Sequence, residues 1–229
     1  MNKIKKNVEQ IPILGTIVKK VYNRFSSQSK PFGGSRNYWI QRYREGRNSG
    51  PGSYNRLAEF KAEVINEFVK SHSINIVIDY GCGDGNQLKL ARYPSYIGFD
   101  VSSDALSICK RIFSADKSKT FKLWNKYSGE EAQLTISLDV IFHLVEDKIF
   151  HEYMKRLFDS STSFVIIYSS NFEDDNSNRS PQLRHRNFSK WVEINKPQWQ
   201  LIEHIPNRYP FKVDSYNESF SDFYIYQKI

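Results

Sequence analysis

The sequence predicts an α/β fold: a seven-stranded, mostly parallel sheet with one antiparallel edge strand and helices on both of its faces. From residue 75 onward, short apolar and β-branched runs alternate with stretches of helical periodicity, and strands that alternate with helices form parallel sheets through right-handed crossovers. A glycine-rich turn follows the first of these runs. The last two runs have no helical pattern between them, so we expect them to pair antiparallel at one edge.

The strands are predicted where apolar residues run without a helical period. Five of them should be parallel, at residues 76–80, 96–100, 120–124, 134–141 and 164–168. The antiparallel pair should span residues 199–205 and 220–226.

The helices are predicted where apolar side chains recur three and four positions apart. A short helix around Tyr38 and Tyr43 should end at the glycines that follow it. The next helix should have Ser53 as its N-cap and bury one apolar face, made of Leu57, Phe60, Val64, Ile65 and Phe68. Further helices are expected from the glycine turn to about residue 90, and around residues 105–112 and 150–158.

Residues 1–36 are predicted to form a basic N-terminal extension and linker, ahead of a domain at residues 37–229. Apolar residues between positions 13 and 25 recur at helical spacing beside lysines and arginines, which predicts a basic amphipathic helix. Such a helix suits an anionic membrane surface, and peripheral membrane contact through residues 1–25 is one interpretation. Docking on the domain, or on a partner subunit in a homodimer, is the other.

The composition bounds the class of protein. The 229 residues are 39% hydrophobic and 25% charged, which fits one α/β domain and excludes a disordered chain or a membrane bundle. The two cysteines form no CxxC motif, so we expect no metal site, no disulfide and a reducing compartment. Neither a membrane span nor a signal-peptide pattern is visible. We therefore expect a cytoplasmic protein, at the inner face of the membrane if the N-terminal helix binds there.

The charge suits anionic partners. A net charge of +8 and a pI of about 9.3 fit nucleic acid, phosphorylated or acidic sugars, or an anionic membrane. Lysines and arginines are scattered without a long run, so a generally basic surface is an equally good interpretation.

The segment VIDYGCGDGN at residues 77–86 is the centre of the functional argument. A buried strand leads directly into three glycines at alternate positions, which permit a tight turn and let a ligand approach the backbone. The dinucleotide fingerprint GxGxxG does not fit, because Gly85 comes one residue early. The arrangement of Asp79, Gly81, Gly83 and Gly85 instead resembles the DxGxGxG motif of class I S-adenosylmethionine methyltransferases, which have a Rossmann-like fold. That resemblance implies S-adenosylmethionine as the cofactor.

The resemblance also implies roles for these residues. Asp79 and Gly81 would lie near the methionine part of the cofactor, and Gly83 and Gly85 would approach it closely. Asp100, which ends the second predicted strand, would bind the ribose.

Three further positions are candidates by the same resemblance. Val101 would lie against the adenine; Trp124 could also reach it, although a core role suits that residue better. The fourth strand leads into SLDVIFHL at residues 137–144, and in this family that strand end faces the transferred methyl group. Asp139 would therefore lie near the methyl donor.

His143 is the candidate general base, because an unperturbed histidine has a pKa of about 6.5 and can accept a proton near neutrality. The alternative is that His143 only donates a hydrogen bond and shapes the pocket. After the fifth strand, residues 172–183 are polar and acidic, which suits a flexible lid. Arg184, His185 and Arg186 follow and suit a phosphate or carboxylate of the acceptor; a solvated basic patch is the alternative.

Residues 38 to about 210 also resemble methyltransferases from bacterial surface-polysaccharide (capsule and O-antigen) gene clusters, on the segments RYREGRNSGPGSYNRLAEFKAEVINEFV, SLDVIFHLVED and HRNFSKWVE. This resemblance implies that the loop at residues 50–53 folds over cofactor and substrate. Tyr38, Arg42 and Ser53 then join Arg184, His185 and Arg186 as candidate acceptor-binding residues.

The predicted function is methyl transfer from S-adenosylmethionine to a small-molecule or saccharide acceptor, either at a sugar hydroxyl or at a phosphate or phosphoramidate oxygen. Nucleic acid is disfavoured as the acceptor, because the fourth strand does not end in a Pro-Pro-aromatic motif and neither cysteine is placed as a nucleophile. A nucleic-acid methyltransferase, a non-catalytic cofactor-binding subunit and an NAD-dependent dehydrogenase stay open as alternatives.

Overall fold

The computed structural model describes residues 32–173, 180–211 and 218–229. Within them, seven strands form one sheet in the order β3-β2-β1-β4-β5-β7-β6. The strands are β1 (Ile76–Tyr80), β2 (Ser95–Asp100), β3 (Lys119–Leu123), β4 (Ala132–Leu138), β5 (Ser161–Ser169), β6 (Trp199–Ile205) and β7 (Asp222–Lys228). Strands β1 to β5 are parallel, and β7 pairs antiparallel with both β5 and β6. The predicted fold class is confirmed, with β7 one place in from the edge that β6 forms.

Within the described residues, five α-helices accompany the sheet: α1 (Ser35–Arg44), α2 (Asn55–Ser71), α3 (Ser103–Ile112), α4 (Asp147–Asp159) and α5 (Phe188–Asn195). Side chains of α2 and α3 join the buried cluster on one face of the sheet, and those of α4 and α5 join the cluster on the other. Alternate residues of one strand enter different clusters: Val77 the first and Ile78 the second. This alternation is the period of a β-strand.

The apolar face of α2 is confirmed, since Leu57, Phe60, Ile65 and Phe68 are buried. The prediction of Ser53 as its N-cap is wrong, because Tyr54 occupies that position. Ser53 belongs instead to a 3₁₀ turn, Pro51–Ser53. Proline fixes φ near the helical value and suits the first position of such a turn.

The helix predicted after the glycine turn is also wrong: the chain forms only a short 3₁₀ turn, Gln87–Leu90. Asn66 of α2 donates to the Leu90 carbonyl and accepts from the Arg92 N–H, so these bonds draw the chain towards α2 before a longer helix develops. Two strands are shorter than predicted. Trp124 begins a 3₁₀ turn, and β4 ends before Asp139, whose φ of 58° lies outside the β region.

Several predictions lie partly or wholly outside the described residues. The amphipathic helix between residues 13 and 25 is one, and the central part of the 172–183 lid is another. Helix α1 begins at Ser35, so the last two residues of the predicted linker are helical. In the part of the chain that the structure describes, no helix has the length and apolarity to cross a bilayer.

Candidate functional site

A cavity of about 220 Å³ opens at the carboxyl ends of β1, β2 and β4, with α1 beside it. In an open α/β sheet this is the edge where ligands bind. Many of the residues predicted from the sequence line it: Ser53, Asp79, Gly81, Gly83, Asp100, Val101, Asp139 and His143. Gly85, Tyr38, Arg42, Arg184, His185 and Arg186 do not.

The glycine turn after β1 leaves no room for side chains. A Cβ on Gly83 would lie 2.4 Å from the Ser49 Oγ and 2.8 Å from the Tyr43 hydroxyl, and the φ of Gly83 is 58°. Gly85, predicted to approach the cofactor, does not line the cavity. Its missing Cβ would meet the Cys109 Sγ at 3.0 Å, so this glycine allows α3 to pack closely behind the turn.

Asp79, the next-to-last residue of β1, has one hydrogen-bonded carboxylate oxygen and one without a partner. Tyr96 donates its hydroxyl proton to Oδ2 at 2.8 Å, whereas Oδ1 is buried and has no hydrogen-bond partner in the described part of the chain. Burial raises the pKa of Asp79 to about 7, against the lowering effects of the Tyr96 hydrogen bond and the charge of Lys61. A buried acceptor without a donor is costly, so this oxygen fits a ligand that brings a cationic N–H group.

Asp100 ties the end of β2 to the glycine turn. Its Oδ2 accepts from the Gly83 N–H at 3.0 Å, and its Oδ1 accepts from the Ser102 N–H at 2.8 Å. Burial raises the pKa of Asp100 to about 6, although these backbone donors lower it. Because two carboxylate oxygens offer about four lone-pair sites, Asp100 keeps acceptor capacity for ligand hydroxyls.

The adenine side of the predicted site is aromatic. Val101 and Trp124 both line the cavity. The Trp124 ring also stacks on Tyr153 at 5.5 Å between centroids and lies 3.8 Å from the Arg156 guanidinium carbon. Trp124 therefore packs among other side chains and also lines the cavity, and its contact with adenine stays a prediction.

Asp139 is held by a partner that the sequence analysis missed. The Lys61 Nζ lies 2.7 Å from the Asp139 Oδ2, and the Lys61 side chain is only 1% exposed. Ser221 donates to the other oxygen at 2.8 Å. The signal in the sequence was a lysine directly beside Phe60, within the apolar half of α2.

His143 lies in a 3₁₀ turn, Ile141–His143, that follows β4. Its Nδ1 lies 3.1 Å from the Gln182 carbonyl oxygen, which assigns the proton to Nδ1 and leaves Nε2 with a free lone pair. The Trp39 ring packs edge-on at 4.9 Å. Burial lowers the pKa of His143 to about 4, so the ring is neutral at pH 7 but is a weaker base than the unperturbed histidine of the prediction.

The loop after α1 lies directly on the glycine turn. Asp84 Oδ2 accepts from the Ser49 N–H and the Tyr54 hydroxyl, both at 3.0 Å, and the Asp84 N–H donates to the Ser49 Oγ at 3.1 Å. The Tyr43 hydroxyl completes the network at 2.7 Å from the Ser49 Oγ. None of these contacts was predicted from the sequence, and the folding of residues 50–53 over cofactor and substrate stays a prediction.

Helix α1 is anchored at both ends. Glu146 accepts from the Ser35 N–H at 2.9 Å and from the Ser35 hydroxyl, while Arg42 donates to the Asn48 carbonyl at 2.6 Å. Arg42 thus braces the loop, and neither it nor Tyr38 reaches the cavity lining. Trp39 and Tyr43, which were not predicted as site residues, line the cavity instead.

The predicted anion-binding arginines are also placed elsewhere. Arg184 and Arg186 both form ion pairs with Asp147, at 2.9 Å and 2.6 Å, and both donate to the Val145 carbonyl. They therefore brace the segment between His143 and α4. His185 bonds through Nδ1 to the Ser170 hydroxyl at 2.7 Å.

Methyltransferases are among the solved structures that share this fold. The N-methyltransferase NodS from Bradyrhizobium japonicum, in complex with S-adenosyl-L-homocysteine, matches 83% of this chain and 98% of its own at 14% identity and a TM-score of 0.65. Magnesium protoporphyrin IX methyltransferase from Synechocystis, with bound S-adenosylmethionine, matches 93% of this chain and 96% of its own, at 15% identity and a TM-score of 0.56. The small RNA methyltransferase HEN1 matches 77% of this chain and 26% of its own, at 15% identity and a TM-score of 0.58. No protein-family model and no curated protein matches the chain.

Proposed function

We propose that this protein is an S-adenosylmethionine-dependent methyltransferase that methylates a hydroxyl group, with a sugar hydroxyl of a surface-polysaccharide precursor as the acceptor. The observation that carries the cofactor assignment is the unpartnered Oδ1 of Asp79, buried beside a glycine turn that a Cβ would fill. The solved structures that share the fold, with S-adenosylmethionine or S-adenosylhomocysteine bound, support it.

The lining residues fit each part of this cofactor. Asp79 Oδ1 would accept from the α-ammonium group, Asp100 from the ribose hydroxyls, and Val101 and Trp124 would contact the adenine. When bound, the cofactor supplies a methyl group that its sulfonium charge already activates. The task left to the chain is to hold the acceptor oxygen in line and to exclude water.

His143 is the feature that favours a hydroxyl acceptor over an anionic oxygen. Arg184 and Arg186 are both paired with Asp147 and Lys61 is paired with Asp139. Arg36, in the cavity lining, is the cation that an anionic acceptor would have to use. A hydroxyl must lose its proton as it attacks, and the neutral His143 has Nε2 available to receive it. Asp139 would then lie beside the developing imidazolium and stabilise it.

The proposal is tested by calorimetry followed by product analysis. We expect micromolar binding of S-adenosylmethionine and S-adenosylhomocysteine and no binding of NAD. Methyl-labelled cofactor incubated with sugar, nucleotide-sugar and phosphate-ester pools should then label a sugar. Binding of NAD alone would indicate a dehydrogenase, and cofactor binding without label transfer to any pool would favour a non-catalytic subunit.

A nucleic-acid methyltransferase is the second candidate, favoured by the net charge of +8 and by the small RNA methyltransferase among the structural neighbours. Binding to RNA should then weaken steeply with salt, because each phosphate contact releases counterions. The predicted cytoplasmic location, the membrane contact through residues 1–25 and the homodimer stay predictions.

Replacing His143 separates the two classes of acceptor. His143→Ala is expected to lower kcat for a hydroxyl acceptor by about 10²–10⁴-fold, the usual range for loss of a general base, with little change in cofactor affinity. His204→Ala is the control, because that histidine is exposed on β6. Unchanged kcat with a hydroxyl acceptor would leave His143 with the pocket-shaping role only.

Replacing Gly83 tests the contact between loop and glycine turn. In Gly83→Ala the new Cβ would displace Ser49 and Tyr43, so we expect at least a 100-fold loss of S-adenosylhomocysteine affinity in calorimetry. Gly46→Ala is the matched control, because Gly46 also has a positive φ, 74°, yet nothing lies within 4 Å of its added Cβ. Gly46→Ala should lose about 1 kcal/mol of stability from backbone strain. Gly83→Ala should lose about 1–3 kcal/mol more, because Ser49 and Tyr43 must move. Equal affinities in the two variants would exclude the steric explanation.

A further inference from the structure

An exposed group of aromatic rings lies outside the cavity, at the same edge of the sheet. Phe172, Phe211 and Phe220 are 46%, 45% and 46% exposed. Phe172 stacks on His185 at 4.5 Å, Phe220 packs against His185 at 5.4 Å, and Phe211 packs against Phe220 at 4.2 Å. We call Phe172, His185, Phe211 and Phe220 the aromatic surface.

Four different elements bring these rings together. Phe172 follows β5, Phe211 follows β6, and Phe220 precedes the antiparallel β7, so all three lie at the carboxyl edge of the parallel strands. His185 comes from the segment before α5 and is fixed by the Ser170 hydroxyl at the end of β5. Large apolar side chains that cluster are normally buried away from water. Three half-exposed phenylalanines in one cluster therefore indicate a binding surface.

A continuous line of rings joins this surface to the proposed catalytic histidine. Phe142 lies 6.0 Å from the His185 ring and 4.6 Å from the His143 ring, and His143 lines the cavity. Ring contacts through Phe142 thus link the aromatic surface to the cavity, and an acceptor longer than one sugar ring would reach both.

The chemistry of the surface matches a ring with one apolar and one hydroxyl-bearing side. The face of an aromatic ring is electron-rich, so it attracts the polarised C–H groups on the apolar face of a pyranose. The hydroxyls at the edge of the same sugar would stay in contact with water, because the Ser170 hydroxyl is buried and bonded to His185. The arginines at residues 184 and 186 face Asp147 instead, which favours an uncharged ligand.

We propose that the aromatic surface binds a neutral sugar ring of the acceptor and thereby delivers a hydroxyl group to His143. This inference rests on the proposed hydroxyl methylation and adds the means by which the acceptor is recognised. It makes Phe172 and Phe220 specificity-determining residues that take no part in holding the cofactor.

The test uses the full chain and saturation-transfer NMR. The probes are methyl glucoside, methyl galactoside, methyl mannoside and maltoheptaose, with adenosine monophosphate as the nucleotide arm, each measured with and without S-adenosylhomocysteine. The variant is Phe172→Leu/Phe220→Leu, which keeps apolar volume and removes both rings. The control is Leu201→Ala/Ile202→Ala, because those side chains are also about 40% exposed but lie on β6.

We expect saturation transfer to the ring protons of at least one glycoside, reduced at least threefold in the double leucine variant and unchanged in the control. No glycoside signal in the wild type, an equal signal in the leucine variant, or a stronger signal from the nucleotide would overturn the proposal. Calorimetry with S-adenosylhomocysteine separates this result from the proposed function, because the leucine variant should bind it as the wild type does. Glycoside binding without any cofactor binding would reject the methyltransferase assignment and leave the aromatic surface standing.

Discussion

Asp79→Asn is expected to abolish cofactor binding and, at the same time, to stabilise the protein without ligand. The carboxylate is buried and its Oδ1 has no partner in the described residues, so in the ligand-free protein it bears an uncompensated cost of desolvation. An asparagine has nearly the same shape, keeps an acceptor for the Tyr96 hydroxyl and carries no charge. It cannot bind an ammonium group as a carboxylate does.

The pH dependence of this effect follows from the pKa of Asp79. Burial raises it from about 4 in the unfolded chain to about 7 in the folded protein, so the folded state binds the proton more tightly. The stability that this group contributes is complete below pH 4 and is lost as the pH rises through 7. The gain from Asp79→Asn should therefore be near zero at pH 4 and reach about 2–4 kcal/mol at pH 8.

Thermal unfolding at pH 5 and pH 8, with and without S-adenosylhomocysteine, measures both effects. Without ligand at pH 8, the variant should unfold several degrees above the wild type; with ligand at about 100 times its Kd, only the wild type should gain about 2.7 kcal/mol. Asp104→Asn, on the first turn of α3, controls for loss of a carboxylate elsewhere. A variant that is destabilised at pH 8, or that still responds to ligand, would contradict the role given to Asp79.

The same residues show which parts of the site a sequence can reveal. Asp79, the glycines and Asp100 were predicted from a resemblance to a methyltransferase motif and from their places near strand ends. The chain order of strands and helices brings those strand ends to a common edge. Their roles in binding remain predictions, but the structure brings Asp79, Gly81, Gly83, Asp100, Val101, Asp139 and His143 to one cavity.

The contacts that the sequence did not reveal join distant positions. Lys61 and Asp139 are 78 residues apart, and Ser49 and Asp84 are 35 apart. Arg186 was a candidate for binding an anionic ligand, with a solvated basic patch as the alternative, and the structure pairs it with Asp147, 39 residues earlier. The fold decides which polar side chains lie close enough to pair. The residue types near a motif therefore do not show which charged side chains remain unpaired for a ligand.

Lys61→Met is expected to destabilise the protein by about 3–5 kcal/mol, because it leaves the Asp139 carboxylate largely buried without its counter-charge. Lys61 is 1% exposed and Asp139 17%, and Ser221 supplies the only other side-chain hydrogen bond to Asp139 within the described chain. Methionine keeps the length and apolar packing of the lysine stem in α2. Lys155→Met is the matched control: its ion pair with Asp159 is 72% and 38% exposed, and it should cost less than about 1 kcal/mol.

The double variant Lys61→Met/Asp139→Asn separates stability from function. Removing both charges should recover most of the lost stability, since a well-packed neutral pair can match a buried ion pair. Methyl transfer should nevertheless stay low, because the fixed negative charge beside His143 is then missing. Denaturant unfolding of the four species in a double-mutant cycle, with kcat measured on the stable ones, tests both parts. If the double variant recovers neither stability nor activity, Lys61 acts through packing alone. If it recovers both, the buried charge of Asp139 has no part in the chemistry.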